Sequence, residues 1–322
     1  MKKIVVLTSG GDAPGMNAAI RAVVRTGHYY GLKVFGCQLG YQGLIDQKLF
    51  HMEPDSVANC IQHGGTILKA GRCLPFMEKT VRDQCRAFLK ESAIDGMVII
   101  GGNGSFKGAS LLSLEGGPAV IGIPGSIDND IPGTEYTIGF DTARNTAIQA
   151  IDKIRDTASS HNRNFLVEVM GRSSGFLALD VGIAGGAEFI LLPEFPISIE
   201  KLAQNIMMPR RHKQSSIIIV AEAAEPGRSM QFAAQLETLT SIQYRVCILG
   251  HTQRGGSPTT LDRKVASIMG YISVQGLLEG ASHKMVAMNQ DKLALTPLPD
   301  TAAGPRILTD RDLIDLNDIL CT

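Results

Sequence analysis

Between Gly96 and Ile131 the chain twice runs through a short, unbroken apolar stretch and then stops on residues that strand interiors avoid. Met97 to Ile100 ends at Gly101-Gly102-Asn103-Gly104-Ser105, and Ala119 to Ile123 ends at Pro124-Gly125-Ser126-Ile127-Asp128-Asn129-Asp130. Runs this short and this continuously apolar read as strands covered on both faces, the habit of a parallel sheet between helices. A helical pattern from about Phe106 lies between them. The two strands are therefore neighbours, and their turns share the carboxyl edge where α/β sheets place ligands. The first turn is almost bare of side chains and offers backbone N–H groups at a helix start, which suits phosphate. The second carries two carboxylates two residues apart, which suits a metal or a general base. Together they indicate phosphoryl transfer.

Composition removes other classes. With 322 residues there is room for two domains or one large α/β unit. A hydrophobic share of 44% and a charged share of 19% describe a globular chain, not a disordered one. Net charge is zero and the longest basic block is Pro209-Arg210-Arg211-His212-Lys213, so no nucleic-acid partner is expected. The apolar run after Lys2-Lys3 is too short for a signal-peptide core, and no span approaches membrane length. A cytoplasmic protein with no membrane partner is the expectation. The six cysteines show no CxxC spacing and the seven histidines no i, i+4 pair, so zinc and a disulfide frame are not indicated.

Elsewhere the same grammar repeats. Lys3 to Thr8 reads as a strand, Ser9-Gly10-Gly11-Asp12-Ala13-Pro14-Gly15 as a second phosphate-type turn, and Met16 to Tyr30 as a helix. Arg21 and Arg25, four apart, share one face of that helix, either solvated or gripping an anion. Leu32 to Gln38 is the next strand, with Gly40 to Gly43 as its turn. Ser56 to Gln62 reads as a short helix and Lys79 to Glu91 as a longer one. Arg72 sits in a loop and matters only if that loop reaches the phosphate turn. Asp141 is placed as the cap of a helix from Thr142 to about Thr157. Asn164 to Met170, Phe189 to Leu192, Ser216 to Ala221 and Arg245 to Gly250 are further strands; three of them end in Gly171-Arg172, Glu222 and His251-Thr252-Gln253-Arg254-Gly255-Gly256. The alternation of strand and helix implies α/β architecture with a doubly wound parallel sheet.

Five motifs in this order carry a resemblance. Thr8 to Asn17, Gly101 to Ser105, Pro124 to Asp130, Glu168-Val169-Met170-Gly171-Arg172 and Gly250 to Pro258 are similar, over essentially the whole chain, to the bacterial ATP-dependent 6-phosphofructokinase family. The resemblance implies a homotetramer of subunits with two doubly wound α/β domains. The larger, nucleotide-binding domain would comprise 1–139 plus 252–304, and the smaller, sugar-phosphate-binding domain 140–251 plus 305–322. It implies transfer of phosphoryl from magnesium-bound ATP to the 1-hydroxyl of fructose 6-phosphate, giving fructose 1,6-bisphosphate in glycolysis, with Asp128 as general base.

Residue by residue, the resemblance places Gly11 and Arg72 on the transferring phosphoryl and Ser126 where the family often has threonine. Asp130 and Asn103 fall at the magnesium, and Tyr41, Cys73, Gly102, Gly104, Ser105 and Gly108 around the nucleotide. Met170, Gly171, Arg172 and Glu222 would bind the sugar. Arg163, Arg245, His251 and Arg254 would bind its 6-phosphate, with Arg163 and Arg245 reaching in from a neighbouring subunit so that active sites are shared. An allosteric ADP or phosphoenolpyruvate site would use Arg21, Arg25, Arg155, Glu188, Arg211 and Lys213. Gly104 and Gly125 stand where pyrophosphate-using relatives carry an aspartate and a lysine, which favours ATP.

Two departures alter these expectations. Asn103 replaces a metal-site aspartate, keeping a carbonyl oxygen but losing the charge magnesium prefers; a weakened or non-catalytic subunit is the alternative this raises. Pro54 and Asp55 replace an arginine and a tyrosine of the effector site, which predicts weak or altered regulation. NAD and diacylglycerol kinases share a similar glycine turn but lack the His251 to Pro258 motif. A dinucleotide-binding oxidoreductase fits worse, since Gly102, Gly104 and Gly108 only loosely match its fingerprint.

Overall fold

The computed structural model describes residues 1–208, 215–223, 226–299 and 304–321. Two compact units emerge. The first comprises Met1–Ile127, Ile131–Thr142 and Arg254–Arg306; the second comprises Asp128–Asp130, Ala143–Gln253 and Ile307–Thr322.

The first unit is built on a seven-stranded sheet. In chain order it holds β1 (Lys3–Ser9), α1 (Met16–Tyr29), β2 (Lys33–Cys37), α2 (Tyr41–Ile45), β3 (Leu49–Met52), α3 (Lys79–Glu91), β4 (Gly96–Gly101), α4 (Asn103–Leu114) and β5 (Ala119–Pro124). From α5 (Phe140–His161) the chain enters the second unit. There it forms β6 (Asn164–Val169), α6 (Phe176–Ala184), β7 (Phe189–Leu191), α7 (Ile199–Ile206), β8 (Ile217–Ala221), α8 (Arg228–Thr240) and β9 (Tyr244–Ile248). It returns to the first unit for α9 (Thr260–Leu278), β10 (Lys284–Asn289) and β11 (Lys292–Pro297), and α10 (Asp312–Leu320) closes the second.

The larger sheet has the order β11-β10-β5-β4-β1-β2-β3. Its five inner strands are parallel, whereas β3 and β11 join antiparallel at the two edges. The doubly wound parallel sheet expected from the sequence is thus present, with an antiparallel strand added at each edge, and at β11 the cause is local. Strands β10 and β11 form a hairpin through Gln290 and Asp291, both at positive φ (50° and 58°), the backbone twist that two-residue hairpins require. On one face of the sheet Val5, Leu7, Met97, Ile99 and Val120 meet Leu44, Leu89, Phe106 and Leu112 from α2, α3 and α4. On the other, α1 and α9 pack together and against the strands. Gly270 permits that close approach: a Cβ there would lie 2.6 Å from the Ala22 Cβ and 2.7 Å from the Ala19 carbonyl oxygen.

The smaller sheet, β7-β8-β6-β9, is parallel throughout. Leu166, Ile218 and Val220 meet Leu202 of α7 and Leu236 of α8 in its core. Several local readings change. The predicted helix at 56–62 is a 3-10 turn at Pro54–Val57. Gly40 to Gly43 lead into α2 instead of forming a bare turn. Helix α4 begins at Asn103, not Phe106, because Gly102 already accepts from Ser105 and Phe106. Asp141 lies inside the first turn of α5 instead of capping it. Among the described residues no helix is long and apolar enough to cross a membrane.

Candidate active site

In the first unit three strand ends align. Ser9 pairs with Gly101 and Gly101 with Pro124, so the turns after β1, β4 and β5 leave one edge side by side. Gly125 donates its N–H to the Gly101 carbonyl at 3.0 Å, and Ser126 donates to Ile138 at 3.1 Å. The first turn needs glycine at Gly10 and Gly15, whose φ values are +85° and +107°. Gly104 is exposed and nothing lies within 4 Å of where its Cβ would stand. Gly125 differs: a Cβ there would meet Met16 Cε at 3.0 Å and Ile100 Cγ2 at 3.4 Å. Its lack of a side chain has a packing cause in the sheet itself.

The loop carrying Arg72 does reach the first turn. Gly71 accepts from the Gly10 N–H at 3.2 Å, Lys69 from the Thr8 hydroxyl at 2.9 Å, and the Asn17 side chain from the Ile67 N–H at 2.8 Å. Arg72 itself is exposed. Arg254 arrives at the same place, donating to the Asp12 carbonyl at 3.3 Å, its Nη1 2.6 Å from a Cβ placed on Gly11. Tyr41, expected beside the nucleotide, is buried beneath the glycine turn. Its hydroxyl donates to the Ser105 carbonyl at 2.5 Å and its ring stacks on Phe76 at 4.0 Å. Gly108 is bare because that ring occupies the space, 2.9 Å from a Cβ there. Cys73 is half-buried with its thiol 3.5 Å from Gln42 Oε1, and burial pushes its pKa up.

In the second unit Asp128, Asn129 and Asp130 are all buried, and Asn129 takes a positive φ of 52°. The turn after β6 holds Met170, Gly171 and Arg172; Arg172 N–H donates to Glu222 Oε1 at 2.9 Å. His251 is exposed on a 3-10 turn, Gly250–Arg254, beyond β9. Arg163 and Arg245 are not brought to this edge. Arg163 precedes β6 and Arg245 is the second residue of β9, at the amino ends of those strands. At about 3.3 Å per residue, the length of β6 separates Arg163 from Arg172.

The residues read as an effector site divide. Arg155 donates Nη2 to the Gly185 and Gly186 carbonyls, each at 2.7 Å, and lies 3.7 Å from Glu188. Glu188 is buried and accepts from the Ile217 N–H at 2.7 Å. Arg21 and Arg25 belong to α1 in the first unit. Both act on the nearby Cys60 thiol, lowering a pKa that burial raises. Arg211 and Lys213 lie outside the described residues.

Asn103, in the first unit, and Asp130, in the second, each carry an oxygen donor of the kind magnesium takes. No group of three His, Cys, Asp or Glu is placed to hold a metal among the described residues. Magnesium characteristically takes one or two protein oxygens and completes its shell with water and substrate phosphates. Asp262 went unread in the sequence. Wholly buried, it accepts from Tyr136 Oη (2.6 Å), Gly139 N (2.7 Å), Thr142 N (2.8 Å) and Thr142 Oγ1 (2.5 Å), fixing the segment that follows the acidic turn. Burial raises its pKa against the pull of those donors. The one cue was Thr259 three residues before it, the cap of α9.

A phosphofructokinase family profile matches residues 3–277. The chain belongs to this family. Along its full length the phosphofructokinase is 58% identical over 321 residues to an ATP-dependent 6-phosphofructokinase of Coxiella burnetii, covering 98% of that protein. Among solved structures, the phosphofructokinase of Pichia pastoris matches with a TM-score of 0.87 and 36% identity, over 92% of this chain and 35% of that longer one. A pyrophosphate-dependent phosphofructokinase of Marinobacter aquaeolei matches with a TM-score of 0.83 but 22% identity, over 98% of this chain and 91% of that one. That second likeness speaks for the fold alone.

Proposed function

We propose that this phosphofructokinase transfers the γ-phosphoryl group of ATP to the 1-hydroxyl of fructose 6-phosphate, the kinase step of glycolysis, in the cytoplasm. The observation that carries it is full-length likeness to an ATP-dependent enzyme at 58% identity, supported by glycine turns and an acidic turn leaving one sheet edge together. The open space over Gly104 supports a nucleotide over pyrophosphate, since it leaves room for an α-phosphate. Neither a pyrophosphate-dependent reaction nor a non-catalytic subunit is favoured.

In this reading Asp128 accepts the proton of the 1-hydroxyl as that oxygen attacks the γ-phosphorus. The bond to the new oxygen forms, the β–γ bridging bond breaks, and ADP leaves. Gly11 N–H, Arg72 and the Ser126 hydroxyl hold the transferring group, whose spread charge is met by positioned donors. Arg172 stabilises the same charge from the sugar side. The N–H groups of Gly102 to Ser105 cradle the donor phosphates at the start of α4. Tyr41 and Gly108 act from beneath that turn, and Cys73 borders it. Asp130 and the Asn103 carbonyl would hold magnesium, which would supply charge neutralisation for the ATP phosphates. Met170, Gly171 and Glu222 orient the sugar, and His251 and Arg254 its 6-phosphate. The first unit is the nucleotide side and the second the sugar side.

Because Arg163 and Arg245 lie at the far ends of their strands, they serve the site of a neighbouring subunit in a homotetramer. Arg21 and Arg25 of the first unit and Arg155 and Glu188 of the second are read as effector residues for ADP or phosphoenolpyruvate, and Arg211 and Lys213 join that reading on the sequence resemblance alone. The deciding assay gives the purified protein fructose 6-phosphate with either ATP or pyrophosphate. Fructose 1,6-bisphosphate and ADP from ATP alone are expected; faster turnover with pyrophosphate overturns the assignment.

A further inference from the structure

At the carboxyl edge of the four-stranded sheet, one chain of hydrogen bonds involves residues to which the mechanism gives no part. Gln253 is wholly buried and its Oε1 accepts from the Met170 N–H at 2.9 Å. The turn it grips is tight: Gly171 has φ +139°, and a Cβ there would lie 2.6 Å from the Ser174 carbonyl oxygen. Within it Ser174 N–H donates back to the Gly171 carbonyl at 2.9 Å. Ser174, also buried, then donates its hydroxyl to the backbone carbonyl of Asp128 at 3.2 Å. Gln253, Met170, Gly171, Ser174 and Asp128 are thus tied in sequence.

We propose that Gln253 and Ser174 form one positioning device for Asp128, a reading that rests on Asp128 being the general base. A buried amide is costly here. Gln253 Nε2 finds no acceptor among the described residues, and an unsatisfied buried donor is destabilising. An apolar side chain of similar size would avoid that cost, so what glutamine supplies is the acceptor for Met170 N–H. Arg172 N–H is held separately by Glu222, so the turn is tied at both ends. Displacing a reacting group by about 1 Å can cost on the order of a hundredfold in rate. The hydroxyl of Ser174 is the last link that carries this order to the base.

The test compares wild type with Ser174→Ala, Ser174→Thr, Gln253→Met, Gln253→Glu and the Ser174→Ala/Gln253→Met double variant. Ser174→Ala and Gln253→Met should each lower kcat roughly tenfold, the rate equivalent of one hydrogen bond, with KM for ATP within about twofold. Ser174→Thr keeps a hydroxyl and Gln253→Glu keeps the acceptor, so both should recover most of the loss. Links of one chain are not independent, so the double variant should be no slower than the slower single. A merely structural role would lower Tm while leaving kcat per folded molecule unchanged. That result overturns the proposal, as does a kcat for Ser174→Ala within about twofold of wild type, or losses that multiply in the double variant. Should Ser174→Ala fail to fold, Ser174→Cys, which keeps a weak donor, carries the same comparison; a cysteine variant as fast as wild type with Ser174→Thr slow overturns the device. Wild-type protein that makes no fructose 1,6-bisphosphate defeats the kinase reading instead.

Discussion

Gly11 and Arg254 are coupled by space. The guanidinium occupies the position a methyl group on Gly11 would need, yet a long flexible side chain can move aside cheaply. Gly11→Ala should therefore leave Tm unchanged while displacing Arg254, and, on the proposed role of Arg254 at the 6-phosphate, should raise KM for fructose 6-phosphate roughly tenfold. A fall in Tm with KM intact would place the cost in the turn instead. Asn103 poses a different question at the first residue of α4. Restoring the charge in Asn103→Asp should lower the magnesium concentration needed for half-maximal ATP binding severalfold, read by calorimetry, and should raise turnover. Unchanged metal dependence and rate would mean that Asp130 and the phosphates already suffice.

Among elements, α3 shows how the loop bearing Arg72 is held. Arg82, buried on that helix, meets Glu115 at 2.8 and 2.5 Å and donates Nη1 to the Phe76 and Met77 carbonyls at 3.0 and 2.6 Å. One side chain thus joins α3, the end of α4 and the 3-10 turn Leu74–Met77. Arg82→Ala should cost about 1.5–3 kcal/mol, the worth of charge-assisted hydrogen bonds to a carboxylate that stays partly hydrated once its partner is gone. The Arg82 hydrogen bond holds the Glu115 carboxyl below its ordinary pKa. A depressed carboxylate stabilises above its unfolded pKa and loses that contribution as pH falls through the folded one. The Tm gap between wild type and Arg82→Ala should accordingly be full at neutral pH and close in acid; a gap independent of pH would deny the ionic part. None of this was legible from residue types, because Arg82 and Glu115 are 33 positions apart. The elements that were legible had strong local periods: α3 appears over Lys79–Glu91 as predicted, and β1, β4 and β5 within two residues. The β10–β11 hairpin was missed because Gln290-Asp291 lacks the glycine that announces such a turn. The neighbouring glycine and acidic turns could be read because strand ends carry their own punctuation. Which loops press against them could not.

For the molecule as a whole, the proposed sharing of sites has a direct consequence. Subunits carrying Asp128→Asn and subunits carrying Arg245→Ala should each be nearly inactive alone, yet regain activity when unfolded together and refolded. Mixtures no better than their parents would confine each site to one chain. The effector reading is tested at the same level. Pro54 and Asp55 form a 3-10 turn against α1, the helix of Arg21 and Arg25, and a carboxylate there repels an anion. Inhibition by phosphoenolpyruvate at subsaturating fructose 6-phosphate should be shallow and non-cooperative; steep inhibition would show that the remaining cations are enough.

The interleaving of the two units also governs how the chain is made. Strands β6 to β9 are complete once Ile248 has left the ribosome, whereas the larger sheet must wait for residues 284–297 before β10 can cover the side of β5. During that interval a nascent chain presents β5 as a bare edge, the kind of surface that invites pairing with the wrong neighbour.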